Sequence, residues 1–218
     1  NKLRKSYLCK MQLETIYKNL QIQDMNQMQK TTYTSSENQK DIILLSPTGS
    51  GKTLAFLFPV LRNLKKEVSG IQAMILVPSR ELGLQIEQVF KAMGTDYKVS
   101  VCYGGHDKKI EVNNLIEAPA LLIGTPGRIA YHLKNDNFEA TTIKTLVLDE
   151  FDKSLEFGFH DDMSLIISEM PLLSQRILTS ATAMDEIPNF AGVNDEEKVD
   201  FLKVLEIKPD FQLRKVIT

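Results

Sequence analysis

Cysteine is scarce in this chain. Only Cys9 and Cys102 occur in 218 residues, far apart and without a spacing framework. A disulfide-stapled secreted fold is therefore excluded, and free thiols in a reducing cytoplasm are expected. The three histidines, His106, His132 and His160, show no metal-ligand spacing, so no clustered metal site is expected from them. No apolar run approaches the ~18 residues of a membrane span. The opening Asn1-Lys2-Leu3-Arg4-Lys5 leads into mixed polar sequence, not into the apolar core of an export leader. An excess of one charge is lacking too: 26 Lys and Arg stand against 28 Asp and Glu. Any contact with nucleic acid must then come from a local patch and not from the whole surface. No internal repeat is visible.

What is present is an ordinary globular composition, with 43% hydrophobic and 25% charged residues. A chain of this length buries a core without metal or disulfide staples. Short, continuously apolar runs occur at Ile42-Leu45, Ala73-Val77, Val99-Cys102, Ala120-Ile123, Leu146-Leu148 and Ile177-Leu178. Such runs suit parallel strands covered on both faces. Helical spacing follows the first run at Leu54, Leu57, Phe58 and Leu61. It follows the second at Leu82, Ile86, Val89, Phe90 and Met93, with Gly94 placed to stop the helix. Alternating strand and helix predict an α/β fold with a mostly parallel sheet, helices on both faces and right-handed crossovers. At the N-terminus, Leu13, Ile16, Tyr17 and Leu20 predict an amphipathic helix. A Gln-rich polar stretch follows up to Asn38. Near the C-terminus, after the acidic run Asp195-Glu196-Glu197, the partly alternating segment from Phe201 to Ile207 is the expected last edge strand. Residues 209–218 read as the start of a linker.

The sharpest local signal is Ser46-Pro47-Thr48-Gly49-Ser50-Gly51-Lys52-Thr53, between a strand pattern and a helix pattern. That is the context a phosphate-binding loop requires. Glycines let successive backbone N–H groups converge on phosphate oxygens, and the helix N-terminus adds its positive end. Lys52 is expected to reach the β- and γ-phosphates of a nucleotide, and the Thr53 hydroxyl to ligate Mg²⁺. Ser46, a small residue, stands where the strict pattern has glycine.

Leu146-Val147-Leu148 runs into Asp149-Glu150-Phe151-Asp152. Carboxylates at the C-terminal end of a central strand face the crevice where open α/β sheets bind ligands. Asp149 is expected to hold the Mg²⁺ shell and Glu150 to orient and polarise the attacking water. The catalytic candidates are thus Lys52, Asp149 and Glu150.

Together with Ser180-Ala181-Thr182, these motifs resemble the N-terminal RecA-like domain of DEAD-box ATP-dependent RNA helicases. Further pieces fall in that family's order. Pro78-Ser79-Arg80-Glu81-Leu82 is similar to its motif Ia, with Ser for the usual Thr. Gly104-Gly105 resembles its double glycine, Thr125-Pro126-Gly127-Arg128 its motif Ib, and Gly158-Phe159 the segment after the acidic motif. The resemblance covers roughly residues 13–208. It implies an N-terminal helical segment over 1–40, packed on a RecA-like ATP-binding domain over 41–208, with a linker beginning at 209.

The resemblance also implies an adenine-reading glutamine, for which Gln29 is the candidate. An amide both donates and accepts, so it can pair with the adenine edge and exclude guanine. ATP with Mg²⁺ is the expected cofactor, held by Gln29, Ser46, Thr48, Gly49, Ser50, Gly51, Lys52 and Thr53. The prolines usual before this glutamine are replaced by Met25 and Gln27. Tyr7 is the candidate aromatic that stacks on the base. Ser180 and Thr182 resemble the motif that hydrogen-bonds the last carboxylate, here Asp152, and relates nucleotide state to RNA grip. Phe151 replaces the usual alanine of the acidic motif, so a bulky ring must be accommodated there.

Arg80, Gly105, Thr125, Gly127 and Arg128 are the candidate RNA contacts. Guanidinium groups and exposed backbone N–H groups suit phosphates, glycines allow close approach, and the Thr125 hydroxyl suits phosphate or 2′-OH. Contacts of this kind read backbone geometry, so sequence-independent single-stranded or duplex RNA is the expected partner. The family pairs this domain with a second RecA-like domain that supplies arginines to the γ-phosphate. No His-Arg-x-Gly-Arg-like segment occurs here, and the ~30 residues after Ser180-Ala181-Thr182 are too few for another α/β domain. Two alternatives stay open at the level of sequence: a non-enzymatic nucleotide or RNA clamp, or scaffold, with the same fold, and a DNA-directed relative of the motor. Phe151 and the missing prolines favour the first; Thr125-Pro126-Gly127-Arg128 and Gln29 argue against the second.

Overall fold

The computed structural model describes residues 12–38, 41–105, 107–183, 186–194 and 196–202. Tyr7, Cys9, His106 and the linker expected at 209–218 lie outside them. Helix α1 is described over 12–19. The chain then alternates α2 (Gln27–Ser35), β1 (Ile42–Leu45), α3 (Lys52–Asn63), β2 (Ala73–Leu76), α4 (Arg80–Ala92) and β3 (Val99–Cys102). It continues through α5 (Lys108–Ile116), β4 (Leu121–Gly124), α6 (Pro126–Lys134), β5 (Thr145–Leu148), α7 (Phe151–Glu156), α8 (His160–Ser168), β6 (Gln175–Ser180) and β7 (Glu197–Asp200).

The sheet has seven strands in the order β3-β4-β2-β5-β6-β1-β7, and every pairing is parallel. Alternate residues of each strand face opposite sides. Ile75 and Val147 join one core with Phe56, Phe58, Ile86 and Phe90 of α3 and α4. Met74, Leu76, Leu146 and Leu148 join a second core with Ile129 of α6, Phe151 of α7 and Met163 and Ile166 of α8. The first four helices therefore cover one face and the last four the other, as continuous apolar strands require. Each of the six expected apolar runs overlaps a strand of this sheet. Gly94, at φ +68°, ends α4 with its N–H on the Lys91 carbonyl at 3.0 Å.

The Gln-rich polar stretch is largely helical, inside the N-terminal helical segment expected over 1–40. Asn26 and Gln29 form a reciprocal capping box: the Asn26 side chain accepts the Gln29 N–H at 2.9 Å, and Gln29 Oε1 accepts the Asn26 N–H at 2.8 Å. Such a box satisfies backbone donors that the first helical turn otherwise leaves free. Buried Met28 and Thr32 then seat the helix, which packs along α3. Packing, more than a broad apolar stripe, holds so polar a helix.

One local expectation is corrected: the last strand is displaced. It spans Glu197–Asp200, overlapping the acidic run, and Phe201 and Leu202 are not part of it. An edge strand needs only one buried side chain here, and Val199 supplies it at 3% exposure. Its exposed neighbours keep a charged edge, which suits a strand with an open side. Residues 203–207 lie outside the described ones.

Phe151 is fully buried in the second core, with its ring 6.2 Å from that of Phe190. The bulky residue of the acidic motif is thus accommodated against the α8 side of the sheet. Phe151→Ala is expected to lower stability by roughly 3–5 kcal/mol, the usual loss for a buried phenylalanine. Urea unfolding monitored by circular dichroism measures it. A loss below about 1 kcal/mol would show that the site collapses around the smaller residue.

Candidate functional site

The phosphate-binding loop leaves β1 at Leu45. The Ser46 N–H bonds the Ser180 carbonyl of β6 at 3.1 Å, so the loop's first residue is tied to the neighbouring strand. Gly49 and Gly51 hold φ values of +81° and +92°. Only glycine adopts this region without strain. At Gly51 space is limiting too: a Cβ would lie 2.7 Å from Gln29 Nε2. Lys52 opens α3 and is buried, and its Nζ donates to the Ser46 carbonyl at 2.8 Å. Ser46 Oγ donates to Ser50 Oγ at 2.6 Å across the loop. Thr48 and Gly49 are exposed, while Ser50 and Thr53 are half-buried. The geometry is a concave rim of backbone at a helix N-terminus with one cation folded beneath it, an anion cradle in form.

Helix α2 braces this loop from outside. Asn26 Nδ2 donates to the Ser50 carbonyl at 3.1 Å and Gln29 Nε2 to the Gly51 carbonyl at 3.2 Å. Gln29 is 5% exposed, and both ends of its amide already bond protein, at its own helix N-cap and at the loop. Each end keeps one further bonding position, since an amide offers two N–H donors and two lone pairs. Asn26 was not singled out from the sequence. The Asn-x-x-Gln spacing of a capping box was the signal that could have found it.

The acidic motif lies next door. Asp149 extends from β5, with its N–H on the Leu76 carbonyl at 2.9 Å, and is 5% exposed. Its carboxyl is pushed above the usual carboxylate range, first by burial and further by the Glu150 charge. A hydrogen bond from Thr179 and the Lys52 charge act in the opposite direction. Lys52 and Asp149, almost 100 residues apart in sequence, thus feel each other's charge. Glu150 sits at φ +47° and ψ +52° as the N-cap of α7. A non-glycine residue held in that region costs of order 1–3 kcal/mol, and such residues cluster at functional sites.

Of the two residues expected to bond Asp152, one does. Thr182 Oγ1 donates to Asp152 Oδ2 at 3.1 Å. Ser180 does not: its hydroxyl donates to the Thr182 carbonyl at 2.6 Å and accepts the Thr182 N–H at 3.1 Å. The turn after β6 is tight enough for Ser180 to close on its own neighbour, so it shapes the turn that presents Thr182. Asp152 Oδ1 is buried without a hydrogen-bond partner.

The remaining motifs surround an open depression of about 530 Å³ beside the strand ends. Arg80, Thr125, Gly127 and Arg128 line it, together with Lys108 and Tyr131. Gly104 lines it, whereas Gly105, exposed at φ +82°, does not. Arg80 is exposed at the first turn of α4, with its guanidinium carbon 4.8 Å from the centre of the Tyr103 ring. Lys108 Nζ sits 3.9 Å from the centre of the Tyr131 ring. Cations over aromatic faces form a local basic patch on a chain of nearly neutral charge.

Arg128, a candidate RNA contact, is largely buried. Its side chain is 9% exposed and bonds the Glu111 carboxylate at 2.9 Å. Glu111 is itself buried. Its Oε1 accepts the Tyr103 N–H at 2.9 Å, and His132 Nε2 lies 2.7 Å from its Oε2. Asn137 Nδ2 lies 3.0 Å from His132 Nδ1. Glu111, His132 and Cys102 form a tight buried group, which the spacing of the histidines did not reveal because three separate elements supply it. Burial, then the adjacent Glu111 charge, pushes the Cys102 thiol up to about 12, so it is a protonated, inert group. The hydrogen-bonded Glu111 and His132 and the protonated thiol fit a structural clamp better than a metal site.

Fold and site together define a P-loop nucleotide-binding domain of RecA-like architecture. The family model described as DEAD/DEAH box helicase matches residues 26–190. This chain belongs to the DEAD/DEAH box helicase family. It is 39% identical over 175 residues to the ATP-dependent RNA helicase CshA of Limosilactobacillus reuteri, covering 78% of this chain and 35% of that protein. It is 36% identical over 178 residues to the ATP-dependent RNA helicase DeaD of Escherichia coli K12, covering 79% and 28%. Among solved structures, the yeast DEAD-box splicing factor Prp28 superposes with a TM-score of 0.78 at 28% identity, over 85% of this chain and 47% of that one. A hypothetical ATP-dependent RNA helicase of Sulfolobus tokodaii gives 0.77 at 26% identity, over 86% and 57%. The chain thus spans about a third of the length of the relatives it matches by sequence.

Burying Asp149 as an anion is a cost of folding. Its native carboxyl takes up a proton more readily than in the unfolded chain, so acidification relieves this cost. Asp149→Asn is therefore expected to raise the unfolding temperature in nucleotide-free buffer at neutral pH, and the gain should shrink as pH falls. Thermal unfolding across a pH series checks this. A destabilised variant, or a gain independent of pH, would show that the charge is compensated in the native state.

Proposed function

We propose that this chain is the ATP-binding N-terminal motor domain of an RNA helicase, whose parent protein couples ATP binding and hydrolysis to local RNA unwinding. The observation that carries the reading is the meeting of Lys52 and the Gly49–Gly51 loop with the Asp149–Glu150 pair at the ends of β1 and β5, the two strands that flank β6. Backbone N–H groups of the loop and Lys52 neutralise nucleotide phosphates. For the lysine this means leaving the Ser46 carbonyl for a phosphate oxygen. Thr53 and Asp149 offer the hard oxygen ligands that suit Mg²⁺, Asp149 partly through water. Mg²⁺, when bound, neutralises charge on the β- and γ-phosphates. Glu150 orients the attacking water and accepts its proton. Gln29 reads adenine with the amide N–H and lone pair that its protein contacts leave available.

In this proposal the basic depression takes RNA. Arg80 and Lys108 supply exposed cations, Thr125 a hydroxyl, Gly105 and Gly127 room for close backbone approach, and Arg128 a guanidinium at the lining of the depression. Contacts of this type fix backbone geometry and carry no base sequence. Thr182 and Asp152, with Ser180 shaping the turn, link the acidic motif to the β6 end. The partner that completes both sites is the second RecA-like domain implied by the family resemblance. The N-terminal segment 1–40 carries helix α2, which braces the phosphate loop, residues 41–208 are assigned to the nucleotide domain, and residues 209–218 to the start of the linker towards that partner. A cytoplasmic location belongs to the same proposal, in keeping with the buried free thiol of Cys102. No helix among the described residues is long and apolar enough to cross a membrane.

Titration of the chain with labelled ADP and GDP in Mg²⁺ tests the reading, with Gln29→Ala alongside. ADP is expected to bind and GDP to bind far more weakly, and the variant should lose the preference. Equal binding of both nucleotides, or of neither, would sink the proposal. An arginine supplied by a second domain is worth ~10³–10⁵ in phosphoryl transfer. The chain assayed alone should therefore hydrolyse ATP very slowly, even with RNA present. Strong RNA-stimulated turnover by these 218 residues would show that no such partner is needed.

A further inference from the structure

One buried hydroxyl next to the acidic motif has no role in the reading above. Thr179 is fully buried near the end of β6. Its Oγ1 donates to Asp149 Oδ1 at 2.5 Å and accepts the Glu150 N–H at 3.1 Å. A single side chain therefore fixes both the rotamer of the first carboxylate and the backbone of the second. The Glu150 backbone is left-handed, a conformation that persists only where surroundings enforce it. The register explains how Thr179 reaches both. Leu148 of β5 pairs with Leu178 of β6, so Asp149 and Thr179 face each other on the next rung. On its other side β6 pairs with β1, Thr179 opposite Leu44 and Ser180 opposite Leu45. Beyond that rung the Ser46 N–H bonds the Ser180 carbonyl. The end of β6 thus lies between the phosphate loop and the carboxylates and bonds both.

We propose that Thr179 is the positioning residue of the metal site: its hydroxyl orients Asp149 towards Mg²⁺ and holds Glu150 in place. The proposal rests on the nucleotide-binding reading of this site. Thr179 touches neither nucleotide nor metal in this role; it acts through the carboxylate. A partner of that kind fixes a ligand's geometry, and its removal typically costs roughly 10–100-fold in metal affinity. Thr182 forms a separate bond to Asp152 from the turn after the same strand. The strand end therefore holds the acidic motif at two points, of which only the Thr179 bond touches Asp149.

The test uses labelled ADP bound to the whole chain as wild type, Thr179→Val and Thr179→Ser. Mg²⁺ is titrated into each complex, and nucleotide affinity is also measured in EDTA. Valine keeps the shape and removes the hydroxyl; serine keeps the hydroxyl. The expected result is a Mg²⁺ midpoint raised roughly 10–100-fold in Thr179→Val, with affinity in EDTA unchanged and the midpoint restored in Thr179→Ser. Circular dichroism verifies folding. If valine prevents folding, Thr179→Ala removes the same hydroxyl without adding a methyl group and takes its place. An unchanged Mg²⁺ midpoint in the hydroxyl-free variant overturns the inference and leaves the nucleotide-binding reading standing. So does an equal loss of affinity in Mg²⁺ and EDTA, which marks a purely structural role, or a failure of serine to restore the midpoint. A wild-type chain whose ADP affinity ignores Mg²⁺ overturns the inference together with the metal assignment on which it rests.

Discussion

The parallel register of β1, β6 and β5 is the constraint on which the site depends. Three strands running the same way end at the same level of the sheet, so the loops that follow them emerge side by side. The phosphate loop follows β1, the Ser-Ala-Thr turn follows β6, and the acidic motif follows β5. Ser46 bonds β6 from one side and Asp149 bonds it from the other. A slip of one residue in β6 would turn Thr179 away from Asp149 and bury the wrong face of the strand. The two cores on either side of the sheet resist such a slip, because alternate residues of β5 and β6 belong to different cores.

Burial of charge at those strand ends is the second feature shared by the site. Asp149, Lys52 and Glu111 are all largely withdrawn from water, and each is compensated differently. Lys52 folds onto a backbone carbonyl. Asp149 takes the Thr179 hydroxyl, the charge of the lysine and the Glu150 backbone N–H. Glu111 takes a backbone N–H, a guanidinium and an imidazole. The first two are incompletely satisfied and keep capacity for a ligand. The third is well satisfied, as suits a clamp between the loop after β3 and helix α6. The strained Glu150 backbone belongs with the first group: an unfavourable local conformation held by the surrounding sheet.

Much of the architecture was legible in the order of residues. Continuous apolar runs such as Ile42-Leu45 and Ala120-Ile123 suit strands covered on both sides, and glycines before Lys52 suit a loop whose backbone N–H groups converge. Where local chemistry outweighed composition, the reading failed. The bounds of helix α2 were not legible, because its stability comes from the Asn26–Gln29 box and from α3, not from an apolar stripe. The edge strand was sought at Phe201–Ile207, where apolar residues alternate, but an edge needs one anchor, Val199, and tolerates charge elsewhere. The ion pair of Arg128 was not legible because its counter-charge, Glu111, lies 17 residues earlier on another helix.

The sequence alone determined the class of fold, the phosphate loop and the carboxylates, since these depend on short-range spacing and on residue types that few other structures require. Tertiary structure decided the partners: Thr179 with Asp149, Gln29 with Gly51, Ser180 with its own turn, and Arg128 with Glu111. Those pairings span from 2 to more than 20 residues and follow from strand register and helix packing. A hydroxyl or amide carries the same letter whether it faces water, its own helix or a buried carboxylate. Only the sheet that brings strand ends together, and the cores that fix their register, make that choice.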